Sequence, residues 1–102
     1  MSTDVGNGRV RFGKALYEDL GKPEAVTVRV GSDYIVYTPV SMNTPGACVF
    51  GSGGVLYYPT LAEKVAEVAG INPDEVTGSV SVGSYQIQET ENPDVHEAVV
   101  SF

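Results

Sequence analysis

The order of residues between Gly8 and Tyr37 recurs in degenerate form between Gly54 and Gln88, and this repetition constrains the fold more than any other feature of the chain. The first copy runs Gly8-Arg9-Val10-Arg11-Phe12-Gly13-Lys14, a short helical stretch ending at Leu20-Gly21, Lys22-Pro23-Glu24, and an extended run from Ala25 to Tyr37. The second runs Gly54-Val55-Leu56-Tyr57-Tyr58-Pro59-Thr60, a longer helical stretch to Gly70, Asn72-Pro73-Asp74-Glu75-Val76-Thr77, and Val80 to Ile87. Each copy reads as a strand, a helix closed by glycine, a proline-acid turn and a hairpin. Repeated units of this size bury their apolar faces against one another. A chain of 102 residues is one domain, too small for two independent cores, so the copies must share one. The organisation expected is repeat one over 8–39, a connection over 40–53, repeat two over 54–88 and a C-terminal strand over 95–102.

Local patterning fills in these units. Residues 1–7 are polar and glycine-containing, which predicts a frayed lead-in. Val10 and Phe12 alternate with Arg9 and Arg11, giving a half-buried strand with a basic outer face. Leu16 and Leu20 lie one turn apart on a short helix that Gly21 ends. Val26, Val28 and Val30 alternate with Thr27 and Arg29, and Gly31-Ser32-Asp33 turns the chain into Tyr34-Ile35-Val36-Tyr37. The connection holds one apolar run, Ala47-Cys48-Val49-Phe50, expected as a further strand. In the second helix Thr60 and Glu63 fit a capping box, Leu61, Val65 and Val68 form an apolar stripe, and Gly70 ends it. Gly83-Ser84 predicts a tight hairpin between Val80-Ser81-Val82 and Tyr85-Gln86-Ile87. The apolar end Val99-Val100-Ser101-Phe102 needs a sheet edge to pair with, in this chain or in a partner.

Composition narrows the function classes. Six Lys and Arg against thirteen Asp and Glu give a formal charge of −7, unevenly placed. Arg9, Arg11, Lys14, Lys22 and Arg29 balance the acids of residues 1–40, whereas Lys64 alone opposes the eight acids after residue 40. The first half is thus suited to meet a polyanion and the second to repel one. One cysteine, Cys48, excludes an intrachain disulfide and a multi-thiolate zinc site, pointing to a reducing compartment. With no apolar run of membrane-spanning length and no signal-peptide pattern, the expected location is cytoplasmic.

The order strand, short helix, Leu-Gly, turn and hairpin, with Lys14 at the helix entrance, resembles the AbrB/SpoVT/MazE-type swapped-hairpin domain. The residues that carry the resemblance are Val10-Arg11-Phe12-Gly13-Lys14, Leu20-Gly21, Val26 to Val30, Tyr34-Ile35-Val36 and Pro39. The family pattern has Ile-Pro-Lys where this chain has Phe12-Gly13-Lys14; the second copy keeps Pro59 but carries Thr60 in place of Lys and Leu56 where an Arg would serve. Pro23-Glu24 and Pro73-Asp74 replace the family's Gly-Asp turn. The resemblance implies two interlocked units in one small barrel, formed by a homodimer or, after tandem duplication, by a single-chain pseudo-dimer, which binds DNA through basic residues near the first strands and helix entrances.

The expected fold class is therefore mostly β with two short helices, α+β, in a small swapped-hairpin barrel. The candidate DNA-contact residues are Arg9, Arg11, Lys14 and Arg29; ordinary solvated strand charge is the bland alternative for each. Gly51-Ser52-Gly53-Gly54 leads into a strand rather than a helix and reads as a turn, not a phosphate loop. Cys48 sits among apolar neighbours, and the single histidine, His96, has no motif around it, so no catalytic set, metal site or cofactor is expected. The functions expected are a DNA-binding transcriptional regulator or antitoxin-type protein or, in a different class, an acidic interaction module, an inhibitor or DNA mimic, whose C-terminal carboxylates dock a basic protein partner.

Overall fold

A computed structural model describes residues 1–72, 74–75 and 78–102. Nine strands and two helices are assigned among them: β1 (Ser2–Asp4), β2 (Arg9–Arg11), α1 (Lys14–Asp19), β3 (Ala25–Val30), β4 (Tyr34–Val40), β5 (Cys48–Val49), β6 (Val55–Leu56), α2 (Pro59–Ala69), β7 (Val80–Ser81), β8 (Ser84–Glu89) and β9 (His96–Ser101). The class is α+β, as expected. Two antiparallel sheets carry the strands, one in the order β6-β2-β1-β7 and the other in the order β5-β3-β4-β9-β8; the small barrel expected is not formed, because β6 and β7 end one sheet and β5 and β8 the other. No described helix is long and apolar enough to cross a membrane.

The lead-in is not frayed. β1 lies inside the first sheet between β2 and β7, with Thr3 and Asp4 both 2% exposed. The Asp4 side chain closes the turn that follows it: its carboxylate accepts the Asn7 backbone N–H at 3.2 Å and the Asn7 side-chain amide at 2.8 Å. Gly8 completes the reversal with φ 63° and its N–H on the Val5 carbonyl. Strand alternation then puts Thr3, Val10 and Leu56 on one face, where α2 covers them; the Thr3 hydroxyl donates to the Ala62 carbonyl at 3.2 Å.

Helix α2 buries Leu61, Ala62, Val65 and Ala66 on that face. It begins at Pro59, one residue before the expected cap Thr60, because the fixed φ of proline suits the first helical position; Tyr58 is the cap residue and contributes no side-chain bond. Gly70, at φ 73°, ends the helix, and the Ile71 N–H returns to the Ala66 carbonyl.

A second correction concerns the last hairpin. Val80–Ser81 and Tyr85–Ile87 do not pair with each other: β7 joins β1 in one sheet, while β8 joins β9 in the other over six residue pairs. Val82, which is buried, and Gly83, at φ 68°, carry the chain between sheets. A Cβ on Gly83 would meet Val100 Cγ1 at 2.7 Å and the Ser101 carbonyl at 2.9 Å. The longer register wins because it places Val100 and Ala98 in the core and gives the C-terminal strand partners on both sides. The turn expected over Asn72-Thr77 includes residues 73, 76 and 77, which lie outside the described residues. The strand expected within Ala47–Phe50 is present as β5.

One cluster of buried side chains unites both halves, with Val10, Phe12, Leu16, Val26, Ile35 and Tyr37 from the first and Leu56, Val65, Val82, Ala98 and Val100 from the second. Phe12 stands where the sheets meet, edge-on to Tyr37 at 4.7 Å and to Phe50 at 4.9 Å. In each sheet the halves are joined directly: β2 pairs with β6, and β4 with β9. Gly8 is a sensitive point of this arrangement, because an added Cβ would lie 2.7 Å from Pro59 Cγ at a left-handed φ. Gly8→Ala is expected to lower stability by about 2 kcal/mol or more, combining the left-handed penalty with the clash, as read by urea unfolding. An unchanged midpoint would show that the turn relaxes freely.

Candidate nucleic-acid interface

The four candidate cations fall on three local settings. Arg9 and Arg11 alternate with buried Val10 on β2, so they share the sheet face turned away from α2. Arg9 is directly opposite Asp4 in the strand register, and its guanidinium lies 3.4 Å from an Asp4 oxygen. This is the bland alternative realised: a cross-strand ion pair. Arg11, by contrast, is exposed. The ion pairs among the described residues are Arg9–Asp4, Arg29–Glu97 and Lys64–Glu67, which leaves Arg11, Lys14 and Lys22 without one. Lys14 follows Arg11 by three residues, across the left-handed Gly13 at φ 84°, and is exposed at the first position of α1.

Arg29 belongs elsewhere. It projects from β3 on the outer face of the second sheet, where its side chain is 68% exposed and lies 3.4 Å from Glu97. Glu97 is only 12% exposed and is held by three donors: the Arg29 guanidinium, the Thr38 hydroxyl at 2.9 Å and the Gln88 amide at 2.6 Å. Those donors come from β3, β4 and β8, so one carboxylate on β9 fastens the four strands in register. The structure thus brings Arg9, Arg11 and Lys14 together in sequence and along one strand-to-helix path, and puts Arg29 on a separate sheet within a polar network.

Electrostatics distinguishes the carboxylates further. The Asn7 side-chain amide, its backbone N–H and the Arg9 guanidinium hold the Asp4 carboxyl below the usual carboxylate range, outweighing the burial that pushes it up. The Tyr85 hydroxyl donates to Asp19 at 2.7 Å, tying β8 to α1, and that bond, then burial and the carboxylate charge, raise its pKa. Tyr37 is wholly buried, with its hydroxyl 3.3 Å from the Met1 sulfur; burial first, and the nearby Cys48 second, push its pKa up.

The remaining reactive side chains do not assemble. Cys48 is half-buried and free, and burial pushes its thiol up, away from the thiolate form a nucleophile needs. His96 is exposed on the rim of an open cleft of about 540 Å³, which Asp19, Glu24 and Asp94 also line and Cys48 does not. No group of three His, Cys, Asp or Glu side chains able to hold a metal occurs among the described residues. Sequence reasoning missed Asp4 and Glu97. The run Asp4-Val5-Gly6-Asn7-Gly8, rich in Asp, Asn and Gly, has a turn composition that marks the first, whereas Glu97 depends on strand register. No protein-family model, curated protein or solved structure matches the chain.

The Asp4 cluster carries a pH signature. Because the folded-state pKa is depressed, the ionised carboxylate contributes stability above the unfolded value of about 3.9, and that contribution is lost as pH falls through the lower folded value. Asp4→Asn is therefore expected to weaken the protein at pH 7 and to flatten its stability profile in the acid region, as read by urea unfolding at pH 7 and at acid pH. A difference between the two proteins that stays constant over that range would remove the assignment.

Proposed function

We propose that the chain is an internally duplicated, single-chain form of the AbrB-like swapped-hairpin regulator, and that it contacts DNA through Arg11 and Lys14 with Arg9 beside them. One observation carries this proposal: the halves exchange strands reciprocally. β1 of the first half pairs with β7 of the second, while β5 of the second pairs with β3 of the first. The strands that meet their own counterparts, β2 with β6 and β4 with β9, do so antiparallel, as a local two-fold axis requires. Gly8 and Gly54 match in the same way. Both are left-handed, and an added Cβ would strike Pro59 at the start of α2 in one case and Tyr17 in α1 in the other. On this basis each unit is a short strand, a basic or aromatic strand, a helix and a hairpin. β1 then opens the first unit and β5 the second, and the bent β7–β8 segment answers to the continuous β3.

The contact surface follows from which charges are available. Arg29 is engaged by Glu97 on the other sheet and Arg9 is half-compensated by Asp4, so Arg11 and Lys14 form the available pair on this path. Position for position around the pairing of Val10 with Leu56, Tyr57 stands in the second unit where Arg11 stands in the first. The duplicated surface is thus cationic on one side only, and it neutralises few phosphates. The acidic interaction module is the second reading. It is favoured by the open cleft where Asp19, Glu24 and Asp94 gather, a surface complementary to a basic protein.

Retention on duplex DNA at two salt concentrations separates the two. The wild type is expected to bind with a shallow slope in log affinity against log salt, about −0.9 per phosphate contact. Arg11→Ala with Lys14→Ala is expected to weaken binding roughly tenfold or more at low salt and to reduce the slope by about 2. Equal retention of wild type and double variant would discard this contact set, and capture of a strongly basic protein in place of DNA would favour the acidic module.

A further inference from the structure

We propose that Arg11, Ser2 and Ser81 form a binding site for a single phosphate group. Under the DNA-binding reading on which this rests, the occupant is one phosphodiester of the duplex backbone. Strand register aligns the three residues: Ser2 on β1 is directly opposite Arg11 on β2 and directly opposite Ser81 on β7. Opposed residues in an antiparallel sheet share a face, with Cβ atoms roughly 4.5–5.5 Å apart, so a guanidinium and two hydroxyls stand in one row across three strands. The row lines a recess of about 180 Å³ together with Met1, Phe12 and Gly13, and no carboxylate lines it.

The polar groups of this row are available. Neither Arg11 nor the two serine hydroxyls make a side-chain hydrogen bond among the described residues. Arg9, one register step away, has its charge met by Asp4, so the anion-seeking charge on this face is concentrated at Arg11. Gly13 borders the recess with nothing within 4 Å of the position a Cβ would occupy, which leaves the mouth clear. A planar guanidinium fork and flanking hydroxyl donors match the acceptor oxygens of a phosphate in number and kind. Ser81 comes from the far half of the chain, so the site exists only when β7 has docked on β1.

The test is an amide-resolved NMR titration of the full chain in low salt with dimethyl phosphate, as a diester probe, and with inorganic phosphate. Shifts at the amides of Ser2, Arg11 and Ser81 are expected. Arg11→Gln, and separately Ser2→Ala with Ser81→Ala, are each expected to weaken phosphate binding roughly tenfold. The serines project from the face away from α2, so an unchanged urea midpoint is expected for the double serine variant, and Arg11→Gln gives an independent reading should it unfold. An absence of shifts at these amides, or shifts that both variants leave intact, overturns the site. Duplex DNA then identifies the occupant. Parallel loss of DNA and phosphate affinity in the serine variant supports the diester. DNA affinity unchanged by loss of the serines overturns the diester as occupant and leaves the DNA reading standing. Phosphate binding by a wild type that does not retard DNA keeps the site, assigns it to free phosphate and removes the DNA reading.

Discussion

Neither half of this chain can satisfy the backbone of its own strands, and the rest of the structure follows from that constraint. β4 has β3 on one side, but its other side would be bare without β9; β2 has β1 and requires β6. Unpaired strand edges leave N–H and C=O groups to water or to another chain. Pairing the halves with each other covers the open sides of β2 and β4 at once and draws the inward side chains into one cluster around Phe12. A single core of this size is what a chain of 102 residues can sustain.

The polar design complements this arrangement, because two carboxylates each secure a sheet. Asp4 closes the β1–β2 turn from a buried position, and Glu97 gathers donors from three neighbouring strands. Each also takes up an arginine, Arg9 in one case and Arg29 in the other. The exposed Arg29 pair contributes little by itself, since water screens it, but the hydrogen bonds behind it fix where the carboxylate sits. Framework contacts thus engage two arginines of an already acidic protein. What basic character remains for a ligand is confined to the path from Arg11 to Lys14 and to the exposed Lys22.

Much of this is legible in the sequence, and the failures have physical causes. Helix α2 declares itself through the Leu61–Val65 spacing and Gly70, while its first residue is displaced because Pro59 outranks the Thr60–Glu63 capping pattern. The hairpin β3–β4 reads correctly because both alternation and turn are local. The Gly83-Ser84 signal misleads for the opposite reason: the same left-handed glycine that suits a tight turn also suits a crossing between sheets, and only the distant partners β1 and β9 decide. β1 is hidden because a three-residue strand with a polar sequence owes its place to neighbours far along the chain. Arg29 fits a basic patch on paper, since alternation gives its side but not which sheet that side belongs to.

The docking of β1 against β7 has a bearing on how the protein is made. Ser2 and Thr3 leave the ribosome well before their partners Ser81 and Val80, which lie 79 and 77 residues further along the chain. The β3–β4 hairpin can form as it is translated, but the first sheet waits for β7, and loop closure over that span is slow. Until then β1 must remain soluble without β7, a task for which the short, hydroxyl-rich and charged run Ser2-Thr3-Asp4 is chemically well suited.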